Sequence, residues 1–230
     1  MSVSYRRDEA IAVISMDDGK VNALGPAMLG EINAALDRAE SEDAGAVVIA
    51  GNQRVFSGGF DLKVFRSGDV QASIEMLQAG FELSHRLLSF RKPVVAACTG
   101  HAIAMGSFLA CSTDHRIAAP GYNFQATEVA IGMVLPYPAL EVMKLRLTRS
   151  AYQQAVGLAK TFLNDTALAG GWVDELVMPG LVLERACEAA QVFATTLDAR
   201  AHHACKMRAR QETLDAIRQG IDNIHTEFGT

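Results

Sequence analysis

Long apolar runs are missing from this sequence, and none of its hydrophobic stretches is long enough to cross a bilayer as a helix. Its first residues, Met1-Ser2-Val3-Ser4-Tyr5-Arg6-Arg7-Asp8, lack the apolar core of a signal peptide, so a cytoplasmic location is expected. Cysteine is sparse: Cys98, Cys111, Cys187 and Cys205 are scattered and form no C-x-x-C pair. Three of them sit in apolar segments, and they read as buried free thiols in a reducing compartment. Histidine is unclustered apart from His202-His203, and there is no H-E-x-x-H pattern, so no metal is expected. A G-x-S-x-G elbow is absent, and Gly19-Lys20 lacks the upstream spacing of a P-loop. Positive charge is not in excess either, with 21 Lys and Arg against 26 Asp and Glu and a net charge of −5. That balance argues against a nucleic-acid-binding surface but leaves room for a local basic pocket.

What is present is an ordinary globular composition, half hydrophobic and one fifth charged, over 230 residues. The chain is long enough for one or two domains with a substantial core. Ala10–Ser15, Ala46–Ala50, Pro93–Cys98 and His115–Ala118 read as strands, and Tyr122–Gln125 as a short one. Helices alternate with them: one from Pro26 with Leu29, Ile32, Leu36 and Ala39 at helical spacing, one over Val70–Leu88, and one through Cys111. Leu62–Asp69 reads as a loop. From Tyr137 the pattern is mainly helical, over Ala139–Leu147, Ser150–Ala159, Val182–Leu197 and Ala201–Ile224. The alternation predicts an α/β fold with a mainly parallel sheet, and the helical tail a separate layer or packing arm.

Two short stretches stand out, Phe56-Ser57-Gly58-Gly59-Phe60-Asp61-Leu62 and Gly100-His101-Ala102-Ile103-Ala104-Met105-Gly106-Ser107. Each follows an apolar strand and is rich in small residues, so its backbone can approach a ligand closely. Free amides from two such turns would hold a developing oxyanion. The pattern also describes two tight βα turns whose glycines serve packing, and by itself it favours that description.

These stretches resemble the two oxyanion-hole segments of the enoyl-CoA hydratase/isomerase (crotonase) superfamily. Val21–Leu24, Arg91–Ala96, Asp114–Ala118 and Gly171–Val177 are similar to further family segments in the same order, so the resemblance covers about Val13 to Val177. It implies a crotonase-like spiral of ββα units over residues 1–180, carrying the CoA and oxyanion site. A helical region over 181–230 would serve trimerisation and pocket cover, in a homotrimer or hexamer. It implies an acyl-CoA thioester substrate, with coenzyme A as part of the substrate and no separate cofactor, and no nucleic-acid or membrane partner.

Carried over residue by residue, the resemblance gives the backbone N–H groups of Phe60 and Met105 as the oxyanion pair. Met105 stands where glycine is common, and its side chain alone reads as core filling. Of two glutamates that hydratases of the family use, one position here is Phe108, which cannot activate water. The other is Glu128, followed by the apolar Val129-Ala130-Ile131, expected to raise its pKa; its local sequence alone reads as a solvent-exposed carboxylate. Gly58, Phe60, Asp61, Leu62, Lys63, Ala23 and Lys20 are the implied CoA contacts, the two lysines as phosphate partners. Phe108 and Pro136 are expected pocket residues. Glu75, Glu82, His85 and Glu141 are candidates to replace the missing glutamate, and Cys205–Arg210 is a basic run that would reach a phosphate or form a solvated face. A single glutamate suits double-bond isomerisation of an enoyl thioester. The alternatives are a 2-enoyl-CoA hydratase and a non-catalytic acyl-CoA binder.

Overall fold

The computed structural model describes residues 2–228. Strands β1 (Val3–Asp8) and β2 (Ile11–Met16) form an antiparallel hairpin, and helix α1 (Pro26–Ser41) follows. The chain then runs twice through two strands and a helical segment. The first pass is β3 (Ala46–Ala50), β4 (Val55–Ser57), α2 (Leu62–Arg66) and α3 (Val70–Ser89); the second is β5 (Val94–Cys98), β6 (His101–Ile103) and α4 (Met105–Cys111). Next come β7 (His115–Ala118), β8 (Phe124–Gln125) and a 3-10 turn at Glu128–Ile131. Helices α5 (Tyr137–Arg146), α6 (Arg149–Leu158) and α7 (Asn164–Gly170), strand β9 (Glu175–Leu176), and helices α8 (Val182–Thr196), α9 (Ala199–Asp222) and α10 (Ile224–Phe228) complete it.

The first strand of each pass enters a six-stranded sheet, ordered β1-β2-β3-β5-β7-β9 and parallel beyond the hairpin. The second strand enters a separate parallel sheet, ordered β4-β6-β8. This is a spiral of ββα units. Period-2 alternation divides the large sheet between two cores. Val47 and Ile49 of β3, with Val94 and Ala96 of β5, face the core that holds α1, α3 and α4. Val48 and Ala50, with Val95 and Ala97, face the other side, which Val182, Ala186 and Ala190 of α8 cover. Burial on both faces is why these strands read as unbroken apolar runs. Helix α9 packs across α3 and α5.

Several local expectations change. Residues 62–66, read as loop, form α2, because Asp61 accepts the Lys63 amide at 2.9 Å and no Gly or Pro interrupts Leu62–Arg66. Strands β1, β4, β6 and β9 and helix α7 were not anticipated; the last three strands are too short to show a period. The tail helix ends at Asp222 rather than 224, and α10 starts after Asn223.

Candidate active site

The first glycine-containing stretch is fixed by the loop before α1. The Asp18 carboxylate accepts the amides of Lys20, Asn22 and Ala23 at 2.8, 2.9 and 3.1 Å and folds that loop. The buried Asn22 side chain donates to the Met16 carbonyl at 3.0 Å and the Phe56 carbonyl at 3.1 Å, which joins the loop to β4. Backbone bonds from Gly58 to Val21 and from Leu24 to Gly59, each 2.8 Å, continue the attachment, and the Ser57 hydroxyl donates to the Asn22 carbonyl. With these groups occupied, the Phe60 N–H has no hydrogen-bond acceptor among the described residues.

The second stretch is fixed by strain and contact. Ala104, between β6 and α4, takes φ 50° and ψ −127°, a conformation rare for a residue with a Cβ. Its N–H donates to Gln125 at 2.8 Å, and its carbonyl accepts the amides of Ser107 and Phe108. Met105 N–H, which follows, likewise has no acceptor among the described residues. The two stretches touch. A Cβ built on Gly106 would lie 2.3 Å from the Ser57 carbonyl oxygen, and one on Gly59 would lie 3.3 Å from the Met105 nitrogen. The expected pair of unpartnered amides therefore stands on adjoining backbone.

Glu128 follows β8 by a few residues, and Gln125 of β8 is the residue bonded to Ala104. Glu128 is only 9 % exposed, and Oε2 is buried without a hydrogen-bond partner. Burial pushes its pKa up to about 7, opposed weakly by the amides of Glu128 and Thr127. The rise has a different source from the one expected. Val129 and Ile131 point outward, at 46 % and 61 % exposure, so the body of the protein desolvates the carboxyl. Phe108 is buried on α4 within the main core and presents no polar group. Met105 is fully buried, and Pro136 is buried at the start of α5.

The remaining candidates separate clearly. Glu82 pairs with Arg218, Glu141 with Lys144, and exposed Glu75 bonds Gln71, so none offers a free buried carboxyl. His85 is half-buried, and desolvation lowers its pKa. Sequence reasoning missed Glu227 on α10: its Oε2 is buried and unpartnered, burial raises its pKa, and it accepts the Tyr137 amide. Nothing in its local sequence signals this. Lys20, Gly58, Leu62 and Lys63 are exposed beside the joined loops, while Ala23 and Asp61 are half-buried. The basic run at Cys205–Arg210 is solvated only in part. Lys206 and Arg210 turn inward onto Asp114, at 2.7 and 2.8 Å, and Arg208 alone of its cations is exposed. A crevice of about 990 Å³ opens elsewhere, beside Asp17, Asn52, Arg54 and Thr99 at the carboxyl ends of the large sheet. Its charged lining residues, Asp17 and Arg54, are both solvent-exposed, so burial tunes no acid or base there as it does at Glu128.

The family model described as enoyl-CoA hydratase/isomerase matches residues 6–228. The chain belongs to this family. A probable enoyl-CoA hydratase of Mycobacterium avium is 31 % identical over 226 residues, which cover 95 % of this chain and 80 % of that one. Two solved structures are much more similar. One, described as an enoyl-CoA isomerase of Mycobacterium tuberculosis, is 64 % identical with a TM-score of 0.96, covering 99 % of each chain. The other, described as an enoyl-CoA hydratase of Mycobacterium marinum, is 63 % identical with a TM-score of 0.97, covering 100 % of each. Family membership supports an enzyme, and the descriptions of these relatives divide between the two reactions.

Proposed function

We propose that the protein is an enoyl-CoA isomerase that moves a 3-enoyl thioester into conjugation. The thioester carbonyl oxygen accepts the N–H groups of Phe60 and Met105. Glu128, as carboxylate, removes a proton from the alpha carbon; electron density moves onto the oxygen, and the two amides stabilise the dienolate. Glu128, now protonated, returns the same proton to the gamma carbon, giving the 2-enoyl ester. One group does both steps because a pKa near 7 leaves it able to accept and to donate at neutral pH. Coenzyme A is carried by the substrate, held by the backbone of Gly58–Lys63 and Ala23, with Lys20 and Lys63 at the phosphates. Phe108 and Pro136 wall the acyl site. Assembly as a trimer or a pair of trimers belongs to the same proposal.

The observation that carries this is a buried Glu128 carboxyl, with Oε2 unpartnered and no cation beside it, combined with a buried Phe108 where a second acid would be needed for hydration. Glu227 is the specific observation favouring a hydratase, since it is another buried carboxyl oxygen without a partner. One assay decides. With 3-hexenoyl-CoA, conjugated-thioester absorbance appears, and Glu128→Gln lowers kcat by about 10²–10⁴-fold while ester binding persists. Loss of absorbance from 2-hexenoyl-CoA, abolished by Glu227→Gln, would establish hydration instead. Ester binding with neither change would mark a non-catalytic binder.

A further inference from the structure

The side chains of Phe60 and Met105 converge on one α-carbon of α3. A Cβ built on Gly80 would lie 2.5 Å from both Cε1 and Cζ of the Phe60 ring and 3.4 Å from the Met105 Cε. The first separation is one that side-chain carbons do not tolerate, so any larger residue at position 80 must displace the ring. Two aromatic rings flank it and limit the directions in which it can move. Phe65 meets it edge-on at 6.2 Å and 89°, and Phe81 at 6.1 Å and 72°. Gly80 lies in the interior of a 20-residue helix, where glycine costs roughly 0.5–1 kcal/mol relative to alanine. Propensity therefore works against it, and space is its physical reason.

We propose that Gly80 is a positioning residue for the oxyanion pair, setting the Phe60 and Met105 amides in register through their side chains. This rests on the oxyanion role given to those amides above. Phe60 is seated between the Gly80 backbone and two aromatic edges, which fixes its χ angles and the direction of its own amide. Met105 reaches the same point from the start of α4. One α-carbon thus references two chain segments that are far apart in sequence.

Gly80→Ala pushes Cε1 and Cζ of Phe60 away and turns the amide without deleting it. Because misplacement of a reacting group by about 1 Å can cost about 10²-fold, kcat on 3-hexenoyl-CoA falls at least about 10-fold, with KM changed less than about threefold. A spectroscopic readout separates positioning from general damage. Bound 2,4-hexadienoyl-CoA, already conjugated, shows a red-shifted absorbance when its carbonyl is polarised, and Gly80→Ala reduces that shift. Leucine at position 60 lacks the two clashing ring atoms, so Gly80→Ala added to Phe60→Leu changes kcat and the shift by less than about twofold relative to Phe60→Leu alone. A folded Gly80→Ala protein with the wild-type shift and kcat overturns the proposal, as does an equal loss in the Phe60→Leu background. If Gly80→Ala does not fold, Phe65→Leu tests the same seat by removing one edge contact. A reduced shift then supports the proposal, and a wild-type shift overturns it. A wild-type protein that binds the ester with no red shift refutes the oxyanion reading itself, a result distinct from either of these.

Discussion

Glu128 and Asp114 are two carboxyls removed from water to a similar degree, at 9 % residue exposure for the first and 13 % side-chain exposure for the second. Burial acts on both in the same direction, yet their proton affinities move oppositely. Asp114 receives Lys206 and Arg210 on separate oxygens and the Val94 amide at 2.8 Å, and these hold its pKa below the usual carboxylate range despite burial. Its partners come from β5 and α9, so it joins the helical tail to the sheet. Glu128 receives no cation among the described residues, and desolvation dominates. Lys206 bears the corresponding penalty, burial lowering its pKa to about 8 against the attraction of Asp114. A buried acid with partners is a structural joint. A buried acid without them keeps its proton to higher pH, which suits the proton transfer proposed for it.

The two sites should therefore fail differently when each loses its charge. Glu128→Gln removes turnover, by about 10²–10⁴-fold, and leaves the fold intact, as read by steady-state kinetics beside thermal unfolding. Asp114→Asn leaves two buried cations short of their anion and lowers stability by about 3–5 kcal/mol, measured by denaturant titration. A smaller effect separates them by pH. Glu128 has a folded pKa above its unfolded value, so the native state holds a proton there that the unfolded chain has released. Its cost to stability grows as pH rises from the ordinary carboxylate range to about 7 and is constant above that. Glu128→Gln is accordingly more stable than the wild type at pH 8, by about 1–3 kcal/mol, and the gap closes near pH 4. Asp114 has the opposite sign: its contribution is present above the ordinary range and is lost as pH falls through its lowered value. Smallest of all, Ile131→Ser changes stability by less than about 0.5 kcal/mol and leaves the pH midpoint of activity in place, since Ile131 faces outward. A shifted midpoint would restore a local apolar cause for the Glu128 pKa.

Legibility in the sequence followed the range of the interactions. Strands β3 and β5 were readable because burial on both faces turns them into unbroken apolar runs, and α3 because Ile74, Leu77, Phe81 and Leu87 keep helical spacing into a core. Strands β4 and β6, three residues each, exist through pairing with one another and carry no period of their own. The two amides and Glu128 were singled out through resemblance to a family, since local sequence gives a main-chain donor no signature. The direction of the Glu128 pKa was anticipated for the wrong reason. The inward turn of Lys206 and Arg210 was invisible, because their anion lies 92 and 96 residues away. Glu227 and the Phe60–Gly80 contact were missed for the same cause: both depend on segments brought together only by the fold.

The most direct test is a ¹³C-carboxyl NMR titration of the glutamates, with Glu128→Gln assigning the resonance. A midpoint close to 7 is predicted for Glu128. A midpoint at the ordinary value of about 4.3 would mean a solvated or partnered carboxylate, and would contradict the account.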